Sequence, residues 1–276
     1  WRARSGMIAE ITRDFPVQVC TDLPNAITAA EAVVVATATD QHVAIATATL
    51  KAERALFIEK PLSNDWVGID NLSHLAKDKI VEVGFQFRAH PNLIALASQL
   101  RQPAHQRLLT YRLAMGHRLD AWRPNQVYEQ GYSAHAARGG GALFDLIHQI
   151  DIALWLFGPV VGVHAVLAKL GVLNIQGDDV TNLLLTHKNG TTGHIQLDMA
   201  SPVYRCEVEV MTTNALLRWS NTEGKLRQLT PEGETIIDCL PEGFKRNDLF
   251  YSHMSHWLKR IDNTSLLPLC TFEDAV

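Results

Sequence analysis

The first third of the chain alternates apolar runs with segments of helical periodicity. Residues 32–36 and 55–58 are continuous apolar runs, which is typical of parallel strands covered on both faces. Further strands are predicted at residues 80–84 and 17–20. The helical segments are predicted at residues 6–15, 23–30, 41–51 and 64–77. This alternation predicts a doubly wound parallel sheet.

After about residue 105 the pattern changes to a series of strands. The Asn189-Gly190 dipeptide between two of them is a strong signal for a hairpin turn. Strands are predicted at residues 108–116, 160–170, 180–187, 193–200, 207–212 and 215–219, and helices at residues 141–157 and 253–261. A run of strands with turn signals indicates a largely antiparallel sheet. We therefore predict an α/β protein with a parallel sheet in residues 1–86 and a large, mostly antiparallel open sheet in residues 87–276.

Composition narrows the class of protein. The formal net charge of −4 and the lack of a basic stripe argue against nucleic-acid binding. The four cysteines are far apart and form no C-x-x-C pair, which favours thiols in a reducing compartment, such as the cytoplasm, over a zinc cage or a disulfide scaffold. The apolar stretch at residues 152–167 is interrupted by Gly158-Pro159, so it indicates a helix and a strand rather than a membrane span.

The segment at residues 36–42 follows a buried strand and opens a helix. Backbone N–H groups at such a turn bind anions or the edge of a cofactor. An ordinary strand–helix turn with Thr39 as the helix cap explains the pattern equally well.

Lys60 follows another buried strand, between Glu59 and Pro61. The carboxyl ends of strands are where ligands bind in open α/β sheets. An ammonium group there can hold a substrate hydroxyl and assist loss of its proton, and burial would lower its pKa toward neutrality. The peptide bond before Pro61 could be cis. The alternative is a lysine that extends along the surface to solvent.

Three glycines at residues 139–141 lead into a predicted helix that carries Asp145, His148 and Asp151. Spacing of three places both carboxylates on the helix face of His148, where a carboxylate would orient the imidazole and raise its pKa for acid–base work. A capped helix with a structural His–Asp hydrogen bond explains the same residues. Outside this cluster no two histidines sit at ligand spacing with a carboxylate, so no metal site is predicted.

Arg88 and His90 lie in the segment at residues 84–91, near the predicted boundary between the two domains. Both side chains are suited to contact an anionic or hydroxylated ligand. Both are equally suited to form salt bridges between the domains.

The segments at residues 32–63, 83–91 and 139–158, in this order and spacing, resemble the Gfo/Idh/MocA oxidoreductases. Shorter matches lie at residues 177–179, 246–248 and 271–275. The resemblance implies a Rossmann domain over residues 1–86 that binds NAD or NADP. It also implies a substrate domain over residues 87–276, whose open sheet forms contacts between copies of the chain.

The resemblance also assigns roles to individual residues. Lys60 matches the lysine that contacts nicotinamide and substrate in relatives, His148 matches the acid–base histidine, and Asp145 matches its acidic partner, although many relatives space that pair by four. The residues expected to line the cofactor are Ala36, Thr37, Thr39, His42, Glu59, Lys60, Pro61 and Gln86. The residues expected to contact substrate are Arg88, Trp122, Arg123, Asp145 and His148.

The sequence departs from the family pattern at its beginning. The family opens with a strand and a G-x-G-x-x-G loop, and this sequence contains no such motif. We therefore expect about one βα unit, roughly 30 residues, to precede Trp1. Arg2 and Arg4 lie where relatives place the acidic residue for the ribose. Arginine there accommodates a 2′-phosphate, which makes NADP one hypothesis and solvated charge the other.

The resemblance implies hydride transfer between nicotinamide and a secondary alcohol of a sugar, amino-sugar or cyclitol. One alternative within the family is a glycosidase or lyase that retains NAD and catalyses no net redox change. Another is a non-catalytic assembly subunit, which the missing glycine loop favours and the presence of Lys60 and His148 opposes.

Overall fold

The structure is a computed structural model that describes residues 12–101, 107–123 and 126–276. Residues 12–14 are helical, as expected for the end of the helix predicted at residues 6–15. The rest of that helix, and the candidate cofactor contacts Arg2 and Arg4, lie outside the described residues.

The N-terminal part contains a three-stranded parallel sheet in the order β1-β2-β3. The strands are β1 Ala32–Val35, β2 Ala55–Ile58 and β3 Val81–Val83, and the helices are α1 Leu23–Ala29, α2 His42–Lys51 and α3 Ile69–Ala76. Strands and helices alternate along the chain, which confirms the predicted Rossmann-type arrangement.

Two predicted elements differ in this part. The third helix begins five residues later than predicted, because Gly68 at its N-cap has a left-handed backbone with φ of 80°. Before it, the Asp65 carboxylate accepts the Val67 N–H at 2.9 Å and holds a turn. The strand predicted at residues 17–20 is absent from the described structure, where those residues are exposed and outside any sheet.

The C-terminal part contains an eight-stranded sheet in the order β11-β10-β9-β8-β4-β7-β6-β5. The strands are β4 Leu108–Gly116, β5 Val160–Ala168, β6 Val180–His187, β7 Thr192–Asp198, β8 Arg205–Thr212, β9 Leu216–Ser220, β10 Lys225–Thr230 and β11 Gly233–Ile237. Only the pairing of β4 with β7 is parallel, which confirms the mostly antiparallel sheet. The last two strands were not predicted.

The helices of this part are α4 Pro91–Leu100, α5 Leu119–Trp122, α6 Ala142–Asp145, α7 His148–Phe157 and α8 Arg246–Asp262. The single helix predicted at residues 141–157 is wrong, because it divides into α6 and α7 with a bend of 54°. The two helices pack against different parts of the structure, α6 against β6 and α7 against β4 and the turn at Glu273–Ala275. The last helix begins seven residues before its predicted start at His253, where Asp248 accepts the Lys245 N–H at 2.7 Å.

A buried carboxylate joins the parallel sheet to α8 and the chain after it. Glu82 in β3 has no exposed surface and accepts hydrogen bonds from His253 at 3.1 Å and Arg260 at 2.7 Å. The Leu269 and Cys270 N–H groups donate to the same side chain at 2.8 and 3.0 Å. Burial alone would raise the pKa of Glu82, but these hydrogen bonds and the charge of Arg260 lower it.

Cys270 packs in the apolar core of the parallel sheet together with Leu56, Leu72 and Phe272. That core therefore contains residues from both ends of the described chain. Within the described ranges no single helix is long and apolar enough to cross a membrane, and only the bent pair at residues 136–145 and 148–157 reaches that length and composition when its two halves are joined.

We expect Glu82→Gln to lower the free energy of unfolding by about 3 kcal/mol or more, because it leaves Arg260 buried without its ionic partner. The contribution of Glu82 should be complete above the unfolded-state pKa of about 4.3. It should be lost as the pH falls through the lower folded-state pKa. Urea unfolding monitored by circular dichroism measures both effects.

The matched control is Glu209→Gln, which removes a surface ion pair with Arg218. That change should cost less than about 1 kcal/mol. Equal losses in the two variants would contradict the role assigned to Glu82.

Candidate active site

A cavity of about 500 Å³ lies where the ends of the parallel sheet face the large sheet. Its lining comes from both parts of the chain: Glu59, Lys60, Gln86, Phe87, Met115, His117, Trp122, Arg123, Asp145, Leu146, His148, Tyr204, Asn221, Arg246, Leu249 and Phe250. The structure thus brings Lys60 and His148 to one cavity, together with five other predicted site residues: Glu59, Gln86, Trp122, Arg123 and Asp145.

Lys60 follows the carboxyl end of β2 and precedes Pro61 across a cis peptide bond, as the sequence suggested. Its ammonium group donates a hydrogen bond of 2.6 Å to the main-chain carbonyl of Asp145. Burial lowers the pKa of Lys60, although the negative charges of Asp145 and Glu59 oppose the shift. The amine is therefore fixed in position by an uncharged acceptor.

Asp145 does not pair with His148, contrary to the prediction. Its Oδ1 accepts a hydrogen bond of 2.8 Å from the Tyr132 hydroxyl. Its Oδ2 is buried and has no hydrogen-bond partner among the described residues. Burial raises the pKa of Asp145 against the opposing charge of Lys60. The reason for the different pairing is the bend between α6 and α7, since Asp145 ends one helix and His148 begins the next.

His148 is buried among aromatic rings and uncharged groups. Phe85 and Phe87 pack edge-on against its ring, at centroid distances of 6.0 and 5.1 Å. The Gln86 amide nitrogen donates to His148 Nε2 at 3.4 Å, while Nδ1 is buried without a partner in the described structure. Burial lowers the pKa of His148 well below its usual value, and the charges of Lys60 and Arg246 add to the shift. A neutral imidazole is able to accept a proton.

Arg88 and Asp151 form a buried salt bridge with each other, whereas Arg88 was predicted to contact substrate and Asp151 to flank His148. The Arg88 guanidinium binds Asp151 through Nε at 3.0 Å and Nη2 at 2.7 Å, and Nη1 binds Asp274 at 2.8 Å. Only 5% of the Arg88 side chain is exposed, and it lies outside the cavity lining. The substrate contact predicted for Arg88 is therefore wrong, and the salt-bridge alternative holds. Likewise, Asp151 is committed to Arg88 and does not flank His148.

The turn after β1 contains side chains that pack within the protein and one hydroxyl that is free to bind a ligand. Thr39 is buried against Gly139, where an added Cβ would lie 2.7 Å from the Thr39 Cβ. The His42 ring lies between two carbonyl groups, with Nδ1 2.8 Å from the Pro61 oxygen and Nε2 3.1 Å from the Thr37 oxygen. Burial lowers the pKa of His42. These side chains stabilise the turn, whereas the Thr37 hydroxyl is buried with no hydrogen-bond partner among the described residues.

The sequence missed several polar residues at the cavity. Tyr132 holds Asp145, and Asn221 donates to the Tyr204 hydroxyl at 3.1 Å. His117 and Arg246 also line the cavity. Arg246 belongs to the matched segment at residues 246–248 and could have been singled out. Tyr204 and Asn221 lie next to strand ends with no local pattern that marks them.

The fold and the cavity define a class of protein. A Rossmann-type sheet with a lysine at the carboxyl end of β2, facing a histidine from a second α/β part, is the arrangement of a two-domain dinucleotide-dependent oxidoreductase. The sequence model of an oxidoreductase family with an NAD-binding Rossmann fold matches residues 2–87. The model of the GFO/IDH/MocA C-terminal domain matches residues 108–218. The chain belongs to the Gfo/Idh/MocA oxidoreductase family.

Curated relatives include two sugar or cyclitol dehydrogenases. The chain is 26% identical to inositol 2-dehydrogenase of Acidothermus cellulolyticus over 73% of its own length and 58% of the relative. It is 31% identical to levoglucosan dehydrogenase of Pseudarthrobacter phenanthrenivorans over 49% of its length and 35% of the relative. The match therefore spans less than two thirds of either relative.

Solved structures share the fold. A levoglucosan dehydrogenase in complex with NADH and levoglucosan superposes with a TM-score of 0.85 at 21% identity, covering 99% of this chain and 82% of that chain. UDP-N-acetylglucosamine 3-dehydrogenase from Acidithiobacillus ferrooxidans superposes with a TM-score of 0.80 at 17% identity, with the same coverage.

The cavity residues fit a nicotinamide cofactor. Three buried polar atoms there have no hydrogen-bond partner among the described residues: Gln86 Oε1, Asp145 Oδ2 and His148 Nδ1. A carboxamide and a sugar-like alcohol would supply donors and acceptors for such atoms. A metal has no comparable support, since the described residues contain no group of three metal-ligating side chains.

We expect His148 to remain neutral across the pH range in which an exposed histidine titrates, because burial and the Lys60 charge both oppose its protonation. NMR titration of labelled histidine side chains measures this, with a free histidine peptide as the reference signal. In Lys60→Met the His148 pKa should rise toward its usual value, because one cation is gone. A His148 signal in the unmodified protein that titrates together with the free peptide would contradict the assignment.

Proposed function

We propose that the protein is an NAD(P)-dependent dehydrogenase that oxidises a secondary alcohol of a sugar, amino-sugar or cyclitol. The observation that carries the proposal is the presence of the Lys60 amine and the neutral His148 imidazole in one cavity at the carboxyl end of the parallel sheet. The known activities of the relatives, dehydrogenases of inositol and levoglucosan, support it. That Arg2 and Arg4 bind the 2′-phosphate of NADP is part of this proposal.

Two groups divide the work on the substrate hydroxyl. The Lys60 ammonium, held by the Asp145 carbonyl, donates a hydrogen bond to the hydroxyl oxygen and stabilises negative charge there as the proton leaves. His148 accepts that proton. The bound nicotinamide supplies the hydride acceptor. The alcohol thus loses a hydride from carbon and a proton from oxygen, and a carbonyl compound is formed.

The electrostatic environment suits this division. Lys60 lowers the pKa of His148, so the imidazole is unprotonated and ready to accept a proton. Lys60 donates its hydrogen bond to an uncharged carbonyl, while the negative charges of Asp145 and Glu59 favour its protonated form against burial. Asp145 has a positioning role in this scheme: its main chain holds Lys60, and its side chain is fixed by Tyr132.

The residues that would hold the cofactor lie in the turn after β1 and in the segment after β2. Ala36 is exposed at the end of β1, and the Thr37 hydroxyl has no hydrogen-bond partner among the described residues. Glu59 and Gln86 line the cavity, and burial raises the pKa of Glu59. His42 and Pro61 join the turn after β1 to the segment after β2, through the contact of the His42 ring with the Pro61 carbonyl. Trp122 and Arg123, from the opposite side, are placed to contact the substrate.

We expect Lys60→Met to reduce kcat for alcohol oxidation by about 10²–10⁴-fold in the full-length protein, the range for loss of an acid–base group. NAD reduction with a panel of cyclitols and sugars measures it. The matched control is Lys51→Met, an exposed lysine in α2 that should retain activity.

Activity of Lys60→Met equal to that of the unmodified protein would contradict the assigned role. Cleavage of a glycoside without accumulation of NADH would instead identify the redox-neutral alternative. Failure of the protein to bind NAD or NADP would favour the non-catalytic assembly subunit.

The outer face of the large sheet is the proposed contact between copies of the chain. Its surface contains exposed apolar side chains, with Leu184 in β6 50% exposed and Met211 in β8 44% exposed. We expect Leu184→Glu to lower the molar mass measured by light scattering, because it places a charge in an apolar contact. Val67→Glu, at a residue 76% exposed near α3, is the control. An unchanged mass in Leu184→Glu would exclude this face.

A further inference from the structure

The cavity has the opposite charge to the protein as a whole. The formal net charge of the chain is −4. In the cavity, however, the cationic side chains are Lys60, Arg123 and Arg246, and the carboxyl side chains are Glu59 and Asp145. Burial raises the pKa of both carboxyl groups and lowers the pKa of Lys60, so the two exposed arginines carry the excess positive charge. The cavity is therefore a positive region in a negative protein, which attracts anions.

Arg246 has no anionic partner among the described residues. It is the first residue of α8, it is exposed, and its guanidinium lies 6.0 Å from the Phe250 ring centroid. Arg88, by contrast, is bound to the carboxylates of Asp151 and Asp274. The charge of Arg246 nevertheless acts on the site, since it lowers the pKa of His148 and of Lys60.

Arg123 has the same character on the neighbouring wall. It follows α5 and is exposed, and its side chain forms no ion pair or hydrogen bond among the described residues. Its positive charge opposes the rise in the pKa of Asp145 that burial causes, so it too lies within electrostatic range of the reacting groups. Tyr204, Asn221 and His117, also in the lining, are neutral or polar and do not offset this charge.

We infer that the substrate of the proposed dehydrogenase carries an oxyanion, a carboxylate or a phosphate, which Arg246 and Arg123 bind while its hydroxyl faces Lys60 and His148. This inference rests on the proposed function and specifies its substrate class. A guanidinium offers paired N–H donors that match the two oxygens of a carboxylate or phosphate. A neutral polyol needs no such group, whereas an oxyanion can replace the water on these two exposed guanidinium groups with charge-assisted hydrogen bonds.

The experiment compares three forms of one sugar skeleton: glucose, glucuronate and glucose 6-phosphate. Turnover with NAD and with NADP gives kcat/KM for each in the unmodified full-length protein, in Arg246→Gln and in Arg123→Gln. We expect an acidic form to be preferred over glucose, and each variant to lower the ratio of acidic to neutral kcat/KM by about tenfold or more. Preference between the carboxylate and the phosphate identifies the source of the oxyanion.

A second measurement does not depend on turnover. Calorimetric titration of glucuronate and of glucose 6-phosphate into the protein saturated with NADH should give binding that weakens with added salt and weakens about tenfold in Arg246→Gln. Lys259→Gln removes a charge from the exposed far end of the same helix and should leave binding and selectivity unchanged.

The outcomes separate this inference from the proposed function. Turnover of glucose equal to that of both acids, with the same ratio in Arg246→Gln, would overturn the oxyanion site and leave the dehydrogenase intact. An increase in KM for the cofactor alone in Arg246→Gln would also overturn it, because the arginine would then bind cofactor phosphate. Absence of any NAD-dependent turnover, with Lys60→Met no different, would instead refute the proposed function.

Discussion

The site depends on one hydrogen bond between residues that are 85 positions apart in the sequence, from the Lys60 ammonium to the Asp145 carbonyl. A regular helix through residues 141–157 would use that carbonyl as the acceptor for the Gln149 N–H. The bend prevents this, and the Gln149 N–H lies 3.5 Å from the Leu146 oxygen instead. The main chain thereby provides an acceptor of fixed direction and no formal charge for the lysine of the other sheet.

The Asp145 carbonyl, as an uncharged acceptor, leaves the charge of Lys60 free to affect the pKa values of neighbouring groups. A carboxylate partner would compensate the lysine charge locally, whereas a carbonyl leaves it to act on its neighbours. Burial is the largest cause of the lowered pKa of His148, and the charge of Lys60 is the next. Asp145, with its carboxyl group turned to Tyr132, is buried and has a raised pKa. A lysine, a neutral imidazole and an acid with a raised pKa thus line one cavity, and perturbed pKa values of this kind are typical of functional sites.

Local patterns were sufficient for the architecture, whereas the roles predicted for Lys60 and His148 depended on the family resemblance. Continuous apolar runs predicted the parallel strands, and the turn signal at Asn189-Gly190 predicted the hairpin between β6 and β7. The strands β10 and β11 were missed because most of their residues are polar, so neither shows a continuous apolar run: β11 is exposed at the sheet edge, and β10 beside it is half-buried.

Contacts between distant residues explain what local patterns could not predict. The helical periodicity of residues 141–157 continues through the bend, although the two helices differ in their neighbours: both contact β7, but only α6 packs on β6 and only α7 on β4. Arg88 meets Asp274 across 186 residues, and no spacing rule anticipates that pairing. The same holds for Tyr132 and Asp145, where the sequence suggested a different partner for the carboxylate. The residues of the site were therefore easier to predict than their partners.

The burial of Glu82 bears on how the chain is made. On the ribosome, β3 emerges with its carboxylate hydrated, and the Cys270 N–H that will cover it is synthesised 188 residues later. The nascent parallel sheet carries a charge in its unfinished core during that interval, which disfavours premature closure and keeps the sheet in contact with water. The parallel sheet can thus complete its core only after Cys270 has been translated, so its folding depends on synthesis of the C-terminal part of the chain.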